Sequence, residues 1–363
     1  MNLLLDYLPW RGDLPLECAP LCPVDRMLLA QLSYLHFKAA LGERTGLTLH
    51  EAAPLIDALP RENGNPQTAQ DRHTLLRQTA ESVRFGGMTI LDCEDIFDEQ
   101  GGVQFAAVTF GLSNGTVAIA FRGTDGTLVG WREDFSMSFE CPVPAQAEAV
   151  RYVERVAQAH AGPLELTGHS KGGNLAVYAG ACCDPAVQER IAEVYTFDGP
   201  GLDAKTLALD GYRRVIGRVR SYVPQSSIVG MLMGIPEKYT VVRSNTVSGW
   251  QHNMFTWGVL GPGFVTLPQT DATSKIIKSA LDEFLEGSTP QTRRLLVDTL
   301  FNVLGAASAS GDSTLEWTRT ASALFSATRA LDPSTRKAVT SIVGQMFASG
   351  VEGAKRYLDR GDA

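Results

Sequence analysis

The sequence lacks the features of a membrane-spanning, exported or nucleic-acid-binding protein. No apolar run reaches the ~18 residues that a transmembrane helix needs, so we expect no transmembrane segment. The first residues, MNLLLDYLPWRGD, have no basic region, and Asp6 interrupts a short apolar stretch, so we expect no signal peptide. With 32 Lys and Arg against 40 Asp and Glu, the net charge is -8, which gives no electrostatic attraction to nucleic acid or anionic membranes.

Cysteine is also scarce, with six residues among 363. This density is too low for a disulfide framework. Cys18 and Cys22 have a spacing that could serve a metal, but no second Cys or His pair follows at the spacing of a zinc site. We therefore expect free thiols, a cytoplasmic location, and neither a metal nor another cofactor.

The sequence alternates helical and strand patterns as far as about residue 270. Apolar residues recur at helical spacing before residue 90 and again between the later strands. Short runs of apolar, β-branched and aromatic residues predict strands, and Ser113-Asn114-Gly115 predicts a hairpin between the first two. Alternation of this kind predicts an α/β fold with a mostly parallel central sheet covered by helices on both faces. The predicted helices are 23–41, 68–85, 145–161 and 171–183, and the predicted strands are 103–111, 116–123, 164–167, 193–198, 218–223 and 239–244.

The strongest functional signal is the segment LELTGHSKGG at 164–173. It contains the pattern G-x-S-x-G, preceded by a predicted strand and followed by a predicted helix, which is the sequence context of a nucleophile elbow. In such a turn the serine oxygen stands at the carboxyl edge of the sheet, beside the amino end of a helix. We therefore predict Ser170 as a catalytic nucleophile, the alternative being a tight glycine-rich turn without chemistry.

A serine hydroxyl needs a general base, and in this fold the partners follow in the order serine, acid, histidine. Of the six histidines, only His252 lies after Ser170. His252 is therefore the predicted base. His169 is expected to pack within the elbow, because a residue adjacent to the nucleophile should point away from it.

Several acids lie between the nucleophile and the base. Asp198 ends the predicted strand EVYTFD and precedes a Gly-Pro-Gly turn, at the sheet edge where catalytic groups collect. We predict Asp198 as the acid, while Asp203 and the other intervening acids are the alternative candidates. Alternatively, Asp198 only caps its own turn.

An oxyanion hole requires two donors. The first is expected to be the backbone N–H of Lys171, and the second should come from Thr124 in the turn after the strand AIAF. Gly123 would allow close approach of substrate. Arg122 is expected to form an internal ion pair, with Asp125 or Asp134 as the candidate partners.

Apolar residues near the predicted base could form an acyl pocket. We assign Gly123, Ile228, Met231, Trp250 and Phe255 to this pocket, with ordinary core packing as the equally weighted alternative.

Several motifs together carry a family resemblance: FRGTD, WREDF at 131–135, GHSKGGNLA, FDGPG, and Gln-His at 251–252 with Trp257 beyond. In these the chain is similar to the Mbeg1-like family, formerly a domain of unknown function, over about residues 1–265. More distantly it resembles the class 3 lipases, whose AFRGT and GHSLGG segments match 120–124 and 168–173 closely. The resemblance implies an α/β-hydrolase fold, a serine nucleophile and ester or lipid substrates.

One departure concerns the acid. Class 3 lipases carry it in a segment like D-I-V-P, where this sequence has Ser227-Ile228-Val229-Gly230. Either Asp198 substitutes for that acid, or the triad is incomplete.

The sequence thus predicts a serine hydrolase, an esterase or lipase acting on a small-molecule or lipid ester. A thioesterase, amidase or peptidase could use the same triad, and a non-catalytic hydrolase-like binding protein is the alternative from another class. We expect a catalytic domain over 1–270, mostly helical before residue 90, and a helical C-terminal subdomain over 271–363. The oligomeric state stays open.

Overall fold

The computed structural model describes residues 1–61, 65–124, 137, 141–227, 229–231, 233, 238–272, 274–275, 279 and 289. Ten α-helices are assigned in this part of the chain: α1 Leu4–Arg11, α2 Pro23–Leu32, α3 Phe37–Leu41, α4 Leu49–Asp57, α5 Pro66–Glu81, α6 Pro144–Ala159, α7 Lys171–Cys182, α8 Pro185–Arg190, α9 Ala204–Leu207 and α10 Asp210–Val215. Short 3₁₀ helices cover Ile216–Arg218, Val229–Met231, Ser248–His252 and Met254–Thr256.

The strands of the described residues are β1 Thr89–Asp98, β2 Val103–Gly111, β3 Val117–Phe121, β4 Leu164–His169, β5 Ile191–Phe197, β6 Val219–Pro224, β7 Thr240–Val242, β8 Val259–Leu260, β9 Gly263–Phe264 and β10 Thr266–Leu267. Eight of them form a central sheet in the order β1-β2-β3-β4-β5-β6-β7-β10. Strands β3 to β7 are parallel, whereas β1 and β2 at one edge and β10 at the other are antiparallel to their neighbours. A small hairpin, β8–β9, lies outside this sheet.

The sheet is covered on both faces, as strand β3 illustrates. Its side chains alternate between two apolar clusters: Ala118 and Ala120 belong to the cluster of the N-terminal helices. Ile119 and Phe121 belong to the cluster that contains α6 and α7. A strand of period two that is apolar on both faces is the pattern of a doubly covered sheet. The chain therefore has the predicted α/β-hydrolase fold.

Strand β1 was absent from the sequence prediction because it is rich in acids. Its carboxylates have basic partners: Asp95 pairs with Arg122 of the turn after β3, and Glu94 pairs with Arg155 of α6. A strand whose side chains form ion pairs lacks the apolar run by which strands are recognised from sequence. Similarly, helix α4 and helix α1 lie in segments for which no helix was predicted.

The predicted helix 23–41 is interrupted in the structure. Helix α2 ends at Leu32, and the Ser33 hydroxyl donates to the carbonyl of Ala30 at 2.8 Å, a local hydrogen bond that competes with helix continuation. Helix α3 then starts at Phe37. Tyr34 lies in the interruption and is buried, with its hydroxyl 2.8 Å from Nδ1 of His169.

The segment after residue 271 contributes few described residues. The predicted C-terminal helical subdomain lies almost entirely outside the described residues, so it stays a prediction, as does the domain boundary at 270. Within the described part of the chain, no helix combines the length and apolar character needed to cross a bilayer. The six cysteines form no disulfide.

Candidate active site

The turn between β4 and α7 holds Ser170 in a rare backbone conformation, with φ 58° and ψ -130°. A non-glycine residue adopts such angles only where the surroundings enforce them. Two glycines provide the enforcement by close packing. A Cβ on Gly168 would lie 2.1 Å from the carbonyl oxygen of Gly172, and one on Gly172 would lie 2.2 Å from that of Phe121. The strand, the turn and the helix can cross only because these positions lack side chains.

This geometry leaves the Ser170 hydroxyl unused by the helix it precedes. Serine at this position ordinarily caps a helix by accepting a hydrogen bond from a backbone N–H. Ser170 makes no such bond. As the N-cap residue, Ser170 directly precedes the first backbone N–H groups of α7, beginning with Lys171, where the helix dipole favours negative charge.

Asp198 and His252 meet at the carboxyl edge of the sheet. His252 Nδ1 donates to Asp198 Oδ2 at 2.7 Å. The His252 side chain is 25% exposed, whereas that of Asp198 is 1% exposed. Because Nδ1 carries the proton in this hydrogen bond, the lone pair of the neutral ring lies on Nε2. The backbone of Ser170 lies next to β5, since its N–H donates to the Phe197 carbonyl at 3.0 Å.

The second oxygen of Asp198 is held by neutral donors. The Ser227 hydroxyl donates to Oδ1 at 2.5 Å, and the Gly230 N–H donates to the same atom at 3.1 Å. A Cβ on Gly230 would lie 2.5 Å from that oxygen, so a side chain there would displace the carboxylate. Among the described residues, no lysine or arginine pairs with Asp198, and His252 is its one ionisable partner.

The start of the C-terminal segment buttresses this loop. The buried Ser274 hydroxyl donates to the carbonyl of Ser227 at 2.7 Å. The Ser226 hydroxyl donates to the carboxylate of Asp271, which in turn accepts from the Ser274 N–H at 2.9 Å. The first residues after 270 thus fix the loop that holds the Asp198 carboxylate.

His169 lies beneath the predicted base. Its ring centroid is 4.4 Å from that of His252. His169 Nε2 is 2.8 Å from the main-chain carbonyl oxygen of His252, and Nδ1 is 2.8 Å from the Tyr34 hydroxyl. Burial and the neighbouring His252 lower the pKa of His169 well below its ordinary value. His169 is therefore a neutral ring that touches the backbone of the predicted base, which goes beyond the packing role expected from sequence.

The residues of the predicted oxyanion hole lie at two strand ends. Lys171 is the first residue of α7, and its side chain runs into the core, where Nζ donates to the Gln104 carbonyl at 2.7 Å. Thr124 is partly buried in the turn after β3. The space at Gly123 is filled from the side of the N-terminal helices, since a Cβ there would lie 2.0 Å from the Tyr34 hydroxyl.

Arg122 forms an internal ion pair, as expected, with a partner that was not among the candidates. Its guanidinium forms a two-pronged ion pair with Asp95 of β1, with both N–O distances at 2.8 Å. The candidates Asp125 and Asp134 lie outside the described residues. The partner was missed because strand β1 itself was missed.

The described residues of the predicted pocket belong to different parts of the structure. Met231 is buried with Val223 and Val241 in a small cluster beside β7. Phe255 is buried in the cluster of the N-terminal helices. Trp250 is 42% exposed. Ile228 lies outside the described residues, so an acyl pocket stays a prediction.

Two of the other acids between Ser170 and His252 have ordinary structural roles. Asp184 accepts from the Ala186 N–H at 2.8 Å and caps α8. Asp203 accepts from the Lys205 N–H at 2.9 Å and caps α9. No group of three or more His, Cys, Asp or Glu side chains in the described part of the chain is arranged to hold a metal ion.

Sequence reasoning missed three contributors to this site. Ser227 and Gly230 were noted only as occupying the segment where class 3 lipases carry the acid, and that position was the available signal for their contact with Asp198. Tyr34 had no signal, because its position depends on the interruption between α2 and α3.

Comparison with known proteins gives a family and two distant structures. A model of the Mbeg1-like family matches residues 79–302, more than half of the chain. None of the curated proteins matches the sequence significantly. Among solved structures, the chain is similar to M37 lipase, with 14% identity and a TM-score of 0.34, over 57% of this chain and 68% of that one. It is also similar to a triacylglycerol lipase from Penicillium expansum, with 14% identity and a TM-score of 0.29, over 52% of this chain and 84% of that one.

Proposed function

Because this chain belongs to the Mbeg1-like family and has the α/β-hydrolase fold, we propose that it is a serine hydrolase that cleaves acyl esters. The observation that carries the proposal is the 2.7 Å hydrogen bond from His252 Nδ1 to the buried Asp198 carboxylate. It lies at the same sheet edge as Ser170, whose strained turn leaves the hydroxyl unused by the helix. A nucleophile, a base and an orienting acid form the minimal set for acyl transfer.

In the proposed mechanism, Ser170 Oγ attacks the acyl carbonyl while His252 Nε2 takes its proton. The Asp198 carboxylate keeps the ring in the Nδ1–H tautomer and stabilises the imidazolium as it forms. The backbone N–H of Lys171 and the turn at Thr124 hold the oxyanion. His252 then returns the proton to the leaving group, which leaves an acyl-enzyme that water hydrolyses through the same base.

The leaving group is set by the pocket, which the triad does not specify. We propose a carboxylic ester of a small molecule or lipid, in keeping with the resemblance to class 3 lipases. Thioesters and amides are the competing substrates for the same groups. A series of p-nitrophenyl esters of increasing acyl length, compared with the matched thioesters and anilides, ranks these classes by kcat/KM.

Labelling by a fluorophosphonate probe tests the proposed function directly. We expect the wild-type protein to be labelled, and Ser170→Ala and His252→Ala to lose labelling by at least ~10³-fold, because each removes a member of the triad. Ser113→Ala, in the exposed hairpin turn between β2 and β3, is the matched serine control and should label like the wild type. Circular dichroism spectra of all four proteins establish that the variants are folded.

An unlabelled wild-type protein would contradict the proposal and favour a hydrolase-like binding protein instead. Labelling that persists in Ser170→Ala would place the reactive serine elsewhere.

A further inference from the structure

His169 is a buried titratable residue that the proposed mechanism does not use. It is 5% exposed and precedes the nucleophile directly, yet both of its ring nitrogens are engaged. Nε2 lies 2.8 Å from the carbonyl oxygen of His252, and Nδ1 lies 2.8 Å from the hydroxyl of Tyr34. A neutral imidazole has one donor and one acceptor, so the partners decide which nitrogen carries the hydrogen.

The direction of this hydrogen-bond chain follows from the partners. A carbonyl oxygen only accepts, so His169 Nε2 must carry the hydrogen and donate to His252. His169 Nδ1 is then the acceptor, and the Tyr34 hydroxyl donates to it. The low pKa of the buried His169 agrees with a ring that stays neutral.

Tyr34 is itself held in place on several sides. The guanidinium of Arg72 lies over its ring, with the central carbon 3.9 Å from the centroid. Arg72 Nε donates to the Gln31 side chain at 3.0 Å, which ties this pair to α2. At the hydroxyl end, Gly123 provides the space that a side chain would fill. Tyr34, where the hydrogen-bond chain starts, is therefore packed between Arg72 and Gly123.

On the basis of the proposed function, we propose that His169 is a positioning residue for the general base, holding the main chain of His252 through a hydrogen-bond chain that starts at Tyr34. Asp198 fixes the His252 ring at Nδ1, but a single hydrogen bond leaves the ring free to swing about that point. The bond from His169 to the His252 carbonyl fixes the backbone from which the side chain extends. Together the two contacts determine where Nε2 points, which is what proton transfer from Ser170 requires.

The neutrality of His169 matters for the same step. The groups that face its ring are His252 and Tyr34, with Arg72 beyond Tyr34. A positive charge on His169, 4.4 Å from the His252 ring, would oppose the imidazolium that forms there. A buried neutral donor holds the base without this penalty.

Two substitutions at position 169 test the N–H donor and the aromatic ring independently. His169→Gln keeps an N–H donor near the place of Nε2, whereas His169→Phe keeps a ring without a donor. We expect His169→Phe to lower kcat for ester hydrolysis, and the rate of fluorophosphonate labelling, by roughly 100-fold with little change in KM. His169→Gln should retain the rate within about threefold. Tyr34→Phe removes the hydroxyl that donates to His169 Nδ1 and should lower the labelling rate about threefold to tenfold.

Tyr7→Phe is the matched control for Tyr34→Phe. Tyr7 is another buried tyrosine of the N-terminal helices, and its hydroxyl donates to Asp25 at 2.7 Å, away from His252. The Tyr7→Phe substitution should lower thermal stability as Tyr34→Phe does, yet leave the labelling rate unchanged. A purely structural role for His169 would instead make the labelling rates of all variants follow their thermal stabilities, and this result would overturn the proposal.

The failure of the positioning role can be told apart from the failure of the proposed function. Labelled wild-type protein with equal rates in His169→Phe and His169→Gln contradicts the positioning role alone. Unlabelled wild-type protein contradicts the serine hydrolase function, and the positioning role with it. Histidine ¹⁵N spectra provide a readout without activity: we expect His169 to stay a neutral Nε2–H tautomer, and an Nδ1–H tautomer would overturn the chain of hydrogen bonds.

Discussion

Two buried aspartates, Asp25 in the N-terminal helices and Asp198 at the sheet edge, are held by different kinds of partner. Asp25 is fully buried and faces a permanent cation, since Arg84 donates to it through Nη2 at 2.5 Å and Nε at 2.9 Å. Tyr7 adds a third donor, and burial together with the charge of Asp25 raises the pKa of its hydroxyl, which keeps its proton.

Asp198 is equally buried but has no such cation among the described residues. Its carboxylate is held by the Ser227 hydroxyl, the Gly230 N–H and Nδ1–H of the His252 ring. The two sites show two ways of holding a buried carboxylate, one with a permanent counter-charge and one with neutral hydrogen-bond donors. Arg84 neutralises Asp25 permanently, whereas neutral donors hold Asp198 in place, and in the proposed mechanism its charge stabilises the imidazolium of His252.

The largest effect that sharpens this comparison is expected from Asp198→Asn. The substitution keeps the shape of the side chain but removes the charge and favours the wrong tautomer of His252, so the rate of fluorophosphonate labelling should fall by about 10³- to 10⁴-fold. Asp203→Asn is the matched control, because Asp203 caps α9 whereas Asp198 contacts His252. A labelling rate that survives in Asp198→Asn would show that Asp198 is not the triad acid.

The second effect concerns stability and is expected from Asp25→Asn. This change leaves the buried Arg84 without its counter-charge and should lower the free energy of unfolding by about 3–5 kcal/mol, measured by urea denaturation. The labelling rate of the folded protein should stay within about twofold of the wild type. Asp13→Asn, an exposed acid in the same region, should change stability by less than about 0.5 kcal/mol. A large loss of labelling in folded Asp25→Asn would break the distinction between the two carboxylates.

A smaller effect is expected from Ser227→Ala. It removes one of the donors to Asp198 Oδ1, and the labelling rate should fall about tenfold, since a hydrogen bond to a charged group contributes about 1.5–3 kcal/mol, part of it in the ground state. Ser226→Ala removes the neighbouring hydroxyl, which donates to Asp271 instead. A labelling rate in Ser227→Ala equal to that of the wild type would mean that the donor at position 227 does not matter to the acid.

The smallest effect is a pH dependence of stability that His169 introduces. Its pKa is lowered in the folded protein, so below pH ~6.5 the unfolded chain binds a proton that the folded protein does not, and stability falls as pH falls. The contribution is at most about 1.4 kcal/mol per pH unit. Urea denaturation at pH 7.5 and pH 5.5 should show a weaker pH dependence in His169→Gln than in the wild type. The partly exposed His160→Gln is the control, and an equal dependence in wild type and His169→Gln would contradict the prediction.

Much of the fold was readable from the sequence because its local signals agree with the tertiary structure. Strands β2 to β7 were predicted because each is an apolar run between turn residues. Strand β1 was missed since its acids look like those of a solvent-exposed loop until Arg122 and Arg155 are placed opposite them. Tyr34 was missed for a related reason, because its segment has the periodicity of an unbroken helix.

The sequence by itself determined the α/β fold, the turn that presents Ser170 and the choice of His252, the only histidine after that serine. These follow from chain order and from short-range patterns that one stretch of sequence contains. Only the tertiary structure decided which carboxylate contacts His252, with Asp198 there and Asp203 capping a helix. It also decided that Ser227 and His169 hold the two partners. Such contacts join residues 29 to 83 positions apart, and chain order carries no information about distances of that kind until the sheet is assembled.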